Sequence, residues 1–107
     1  MAYSEKLDAR IAIVLKNRET IRRKMFGGTC HLLNGNMMCG VYKNYLILRL
    51  GAAESEKALQ QPHVKIFDIT GKPMKGWVMI DEAALAGKEL DKWLQKARIF
   101  AESLPPK

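Results

Sequence analysis

The chain is poor in the residues that most often announce chemistry. Its 107 residues include two cysteines and two histidines. Two cysteines make no disulfide framework and fit a reducing compartment, with the cytoplasm as the default. Apolar runs are short, and Tyr45–Leu48 falls far below the roughly 20 residues that a membrane span needs. Glu5, Lys6, Asp8 and Arg10 interrupt the first 15 residues, which removes the apolar stretch of a secretory signal. No Walker, Rossmann, zinc-protease, C-x-x-C or nucleophile-elbow motif is present. The glycines at 35 and 40 have phosphate-loop spacing, but Val41-Tyr42 stands where Lys-Ser/Thr is required. These absences argue against an enzyme with a familiar site, and they call for no cofactor and no metal.

Acid is also in deficit. Eighteen Lys and Arg face 11 Asp and Glu, for a net charge of +7. The excess favours anionic partners, whether nucleic acid, acidic proteins or anionic headgroups, and selects none of them. Length and a 48% apolar share fit one globular domain over 1–107.

The periodicities predict an α+β fold in the order helix, strands, helix, strands, helix. Ser4 is a good N-cap for Leu7, Ile11, Val14 and Leu15, one face of a helix reaching about Lys16. A short strand runs through Arg22-Arg23-Lys24 to the glycine pair 27–28. Asn34-Gly35 is the preferred two-residue hairpin turn between strands Thr29–Leu33 and Met37–Tyr42. A second turn at Lys43-Asn44 adds a third strand. A regular register then puts Cys30, Leu32, Met37, Cys39, Val41, Leu46, Leu48 and Leu50 on one wholly apolar face. Thr29, His31, Leu33, Met38, Gly40, Tyr42, Tyr45, Ile47 and Arg49 form a mixed opposite face. A helix over 53–60, strands over 64–69 and 76–81, and an amphipathic helix from Leu90 to Ala101 follow, ended by Pro105-Pro106. Strands and helices do not alternate as βαβ units, so the expected architecture is an antiparallel sheet with helices on one face.

Candidate sites follow from this layout, each beside a plainer reading. Cys30 and Cys39 face each other in the regular register, with Cα atoms about 4.5 Å apart, close enough for a cross-strand disulfide. The plainer reading is two buried, reduced core thiols. A metal is disfavoured because His31 points to the other face and no third ligand lies nearby. His31 and His63 could act as general bases, but neither has a nucleophile or an orienting carboxylate at a recognisable spacing. Arg22, Arg23, Lys24, Arg49, Lys72 and Lys75 are a candidate anion or nucleic-acid patch, with Lys16 and Arg18 just before them and tyrosines available for stacking. Solvated charge at strand ends and turns is the plainer account. Leu33, Met38, Tyr42, Tyr45 and Ile47 would form a protein-contact face, for a partner or for self-association, unless a helix covers them.

Four segments in order add a family to this reading: Lys24-Met25-Phe26-Gly27-Gly28, Asn34 to Val41, Thr70 to Trp77, and Ser103 to Lys107. Together they resemble the N-terminal domain of the TfoX/Sxy family, from Tyr3 to the end of the chain. The resemblance implies a two-layer α+β fold similar to secretion chaperones and YjbR-like proteins, and no agreed catalytic residues. Two-domain members include regulators of natural competence that act with a transcription factor at promoters. This chain stops where the N-terminal domain stops, without their helical C-terminal domain. The function expected is therefore a regulatory or adaptor module acting through protein contacts, with weakly sequence-dependent nucleic-acid binding as the alternative.

Overall fold

The computed structural model describes residues 4–15, 20–25, 28–68 and 75–105. Helix α1 spans Glu5–Leu15 and starts where the cap predicts: the Leu7 amide donates to Ser4 Oγ at 3.1 Å. Four strands follow, β1 (Thr20–Met25), β2 (Gly28–Leu33), β3 (Asn36–Tyr42) and β4 (Tyr45–Arg49). Then come α2 (Ala52–Ala58), β5 (Val64–Ile66), β6 (Trp77–Asp81), a 3-10 turn at Glu82–Ala84 and α3 (Glu89–Glu102). All strand neighbours are antiparallel, in the order β1-β2-β3-β4-β6-β5. This is the α+β sheet with helices that the sequence predicts. The proline turn expected at 70–73 lies outside the described residues.

The turns form as their residues dictate. Asn34 and Gly35 both have positive φ, 54° and 82°, the left-handed pair that a type I′ turn needs. The Lys43-Asn44 turn is held from two sides: the Ser4 amide donates to Lys43 O at 2.8 Å, and the Glu82 amide to Asn44 O at 2.9 Å. The start of α1 and the exit of β6 are thereby anchored to one hairpin tip.

Side chains from all three helices share the main core with one face of the sheet. Leu7, Ile11 and Leu15 of α1, Ala58 of α2, and Leu90, Trp93, Leu94, Ala97 and Ala101 of α3 meet Val41, Leu46, Leu48, Val78 and Ile80. The α3 residues recur at three- and four-residue spacing, so one stripe is buried while Ile99 is 58% exposed. Beyond α3 the chain is tied back: Asn36, itself buried, donates from Nδ2 to Pro105 O at 2.9 Å.

The regular β2–β3 register expected from the turn is wrong beyond its first two pairs. Leu33 faces Asn36 and Leu32 faces Met37, but His31 then faces Cys39 and Cys30 faces Gly40. One extra residue, Met38, is inserted in β3 as a β-bulge, and a bulge reverses which residues face which side. Leu33 and Met38 consequently belong to the helix-backed core, and Met37 packs on the second face. Cys39, Val41, Leu46, Leu48 and Leu50 lie in the helix-backed core as expected.

Glycine permits the close β2–β3 approach beside the bulge. A Cβ at Gly40 would run into the Thr29 carbonyl oxygen, with Cys30 Cα only 3.2 Å away. Both obstacles are backbone and cannot rotate aside. Gly40→Ala is expected to lower stability by about 2 kcal/mol, read as a fall in the urea midpoint; an unchanged midpoint would show that the strands can separate freely there.

Candidate functional site

The bulge turns Thr29 and His31 toward α1, and the carboxylate that receives them is Asp8. Asp8 stands on the inner side of α1, 7% exposed, among Leu7, Ile11 and Leu15. A buried carboxylate is costly unless its oxygens are matched. Thr29 Oγ1 donates to Asp8 Oδ1 at 2.8 Å, and His31 Nε2 lies 3.1 Å from the same oxygen. Arg22, one strand further out, donates from Nε to Oδ2 at 2.8 Å, with Nη2 also at 2.8 Å. One carboxylate thus joins α1 to β1 and β2.

Burial alone would raise the Asp8 pKa, but hydrogen bonds from Thr29, His31 and Arg22 and the Arg22 charge outweigh it, and the net shift is downward. Desolvation lowers the His31 pKa, against the opposing pull of Asp8. The pair at neutral pH is therefore a carboxylate and a neutral imidazole that donates Nε2–H, not an ion pair. Both groups bind protons more weakly in the folded chain than in the unfolded one. The His31 contribution is full above its ordinary value of 6.5 and is lost as pH falls through its lowered folded value. The Asp8 contribution is full above 3.8 and disappears at still lower pH.

A carboxylate–histidine pair resembles half of a hydrolytic triad, but its surroundings are those of a structural knot. His31 is 3% exposed. The clefts between α1 and α3 and beside α2 are lined by other residues. His63 lies at the surface at φ 68°, far from this arrangement in the sheet. Sequence reasoning weighed His31 without its carboxylate because Asp8 is 23 residues away and the regular register turns His31 outward.

The cysteines do not form the facing pair expected of them. Cys39 lies opposite His31 in the helix-backed core, and Cys30 lies opposite Gly40, between the inward Thr29 and His31 and therefore on the other face. The bulge separates them, which removes the cross-strand disulfide geometry. Burial raises both thiol pKa values.

The six basic candidates do not share one surface. Arg22 is bound to Asp8. Arg23 and Lys24 are exposed on edge strand β1. Arg49 ends β4, its guanidinium 5.5 Å from the Trp77 ring centre and 5.7 Å from that of Phe100. Lys75 is exposed just before β6, and Lys72 lies outside the described residues.

Of the contact-face candidates, Leu33 and Met38 are core residues, as described above. Tyr42, Tyr45 and Ile47 do share the second sheet face, with Phe67, Met79, Met37 and Trp77. Among the described residues this cluster contains no helical side chain. Ile47, Phe67 and Met79 are buried, and Tyr42, Tyr45, Met37 and Trp77 remain half-buried around them. Three of these half-buried aromatics carry cations: Lys43 over Tyr42 at 5.4 Å and Lys65 over Tyr45 at 5.3 Å, neither of them among the basic candidates, and Arg49 over Trp77. Lys65 also donates to the Tyr45 hydroxyl at 3.2 Å.

A single antiparallel sheet among the described residues, helix-backed on one side and aromatic and basic on the other, defines a small α+β domain. The TfoX N-terminal domain family matches residues 15–101, and the chain belongs to that family. No curated protein and no solved structure matches it.

Three outcomes test this geometry. Asp8→Ala strands Thr29, His31 and Arg22 together and is expected to cost about 3 kcal/mol at pH 7.5 by urea unfolding. The wild-type midpoint should also fall between pH 7 and pH 5, a drop that His31→Gln flattens; equal slopes in the two proteins would remove His31 from the knot. The thiols should react with an aromatic disulfide reagent only on unfolding, at least a hundredfold faster in denaturant, whereas two fast native thiols would contradict their burial (roughly the margin that a stable fold imposes).

Proposed function

We propose that this domain is a non-catalytic regulatory or adaptor module that works through protein contacts on the second face of its sheet. The observation that carries the proposal is the cluster around Ile47, where half-buried Tyr42, Tyr45, Met37 and Trp77 are interleaved with Lys43, Lys65 and Arg49. Aromatic anchors within a polar rim are the anatomy of a protein interface. The cations and the net charge of +7 select a partner segment that offers acidic as well as apolar side chains. Membership of the TfoX N-terminal domain family supports a role beside transcription, as in competence regulation, and two buried thiols suit the reducing cytoplasm. The closed environment of His31 supports the non-catalytic part of the reading.

The same cation–aromatic pairs favour one second reading, single-stranded nucleic acid stacked on Tyr42 and Tyr45. The outward basic residues on β1 lie two strands from Tyr42 and three from Tyr45, so contact with phosphates would be shallow.

Sedimentation over a range of concentrations, together with capture from host extract, tests the choice. The wild-type domain should self-associate or retain a partner, and Tyr45→Glu with Lys65→Glu should weaken that association about tenfold with little change in Tm. A monomer at every concentration with nothing captured overturns the protein reading. Tight binding of single-stranded DNA with a steep salt slope would transfer the face to the second one.

A further inference from the structure

Between α2 and the end of the sheet lies a cavity that the Asp8 knot does not use and that shares only Trp77 with the aromatic cluster of the second face. It opens between α2 and the start of β6 and has a volume of about 260 Å³. Its walls are mainly apolar, from Leu59, Ile66, Ala52 and Trp77, with Glu56 and Lys75 also lining it. A second hollow of about 190 Å³ shares Ala52, Lys75, Gly76 and Trp77 with the first and adds Arg49 and Phe100. The acid lines only the first hollow, whereas two cations line the second. Arg49 is already positioned there by the Trp77 and Phe100 rings.

Ser55 lines the first cavity and is 3% exposed. Its hydroxyl is buried without a hydrogen-bond partner. A helix interior is a poor place for an unmatched hydroxyl, and alanine would avoid the cost. Because Ser55 lines the cavity, a guest's polar atom there can be the partner its hydroxyl lacks.

We propose that these joined hollows bind a small organic monoanion, an aromatic or branched apolar body lying between Ser55, Leu59, Ile66 and Trp77 with its carboxylate against Lys75 and Arg49. The size fits, since a dry cavity of about 150 Å³ accepts benzene, and 260 Å³ takes a substituted ring. The charge arrangement orients the guest, because the carboxylate avoids the Glu56 end and meets both cations at the other. The site shares Trp77 and Arg49 with the contact face, but binding there does not rest on the protein-contact reading.

The test is a titration of ¹⁵N-labelled protein with 3-phenylpropionate, and with its neutral amide as the charge control. The acid should shift the Ala52 and Gly76 amides and the Trp77 indole N–H saturably, with Kd on the order of 1 mM or tighter. The amide should bind about tenfold more weakly, and Lys75→Glu should weaken the acid by a similar factor. Ser55→Ala should raise Tm by about 4 °C while weakening the acid at least threefold. No saturable shift, equal binding of acid and amide, or affinity unchanged in both variants overturns the proposal.

Discussion

A carboxylate on the buried side of a helix is tolerable only if its surroundings are built for it. Asp8 takes hydrogen bonds from Thr29 and Arg22 and from the neutral ring of His31, and these partners come from two strands of the sheet, β1 and β2. The inward direction of Thr29 and His31 depends in turn on the Met38 bulge. Without the extra residue, both side chains would point to the other face and Asp8 would be buried without them. Bulge and carboxylate therefore require each other. That mutual dependence fixes which face of β2 and β3 meets the helices, and so which face carries the aromatic cluster.

The functional consequence is a division of labour between the two sides of one sheet. The helix-backed side holds the main core and its buried polar knot. The other side keeps a small core of Ile47, Phe67 and Met79 and spends its remaining residues on half-buried aromatics paired with cations. Such pairs offer apolar area and charge at once. A surface of this kind suits an acidic, apolar partner segment better than it suits a reaction.

The fold was largely legible in the sequence because its signals are local. Ser4, Asn34-Gly35, the alternation through Val41, Leu46 and Leu48, and the helical stripe from Leu90 to Ala101 each encode their own element. Nothing in the spacing of Asn36 to Tyr42 marks Met38 as the extra residue. A bulge is a compromise between two strands and the layer beneath them, so its position is decided by Asp8 and the core as much as by β3. The one-residue shift then displaced the inferences that depended on the parity of β2 and of the first residues of β3: the cysteine pair, the outward His31, and Leu33 and Met38 as contact residues. Lys43 and Lys65 escaped notice for a different reason, since a lone lysine shows no pattern until a tyrosine is placed beneath it.

The most direct test of this account is the state of the His31 ring, read by long-range proton–nitrogen NMR of the native domain. The structure predicts a neutral ring protonated at Nε2, a slowly exchanging Hε2 proton, and a titration midpoint below the ordinary 6.5. A ring that titrates at 6.5 with rapidly exchanging protons would place His31 in solvent. It would restore the regular register, undo the bulge, and return Leu33 and Met38 to the face from which this account removes them.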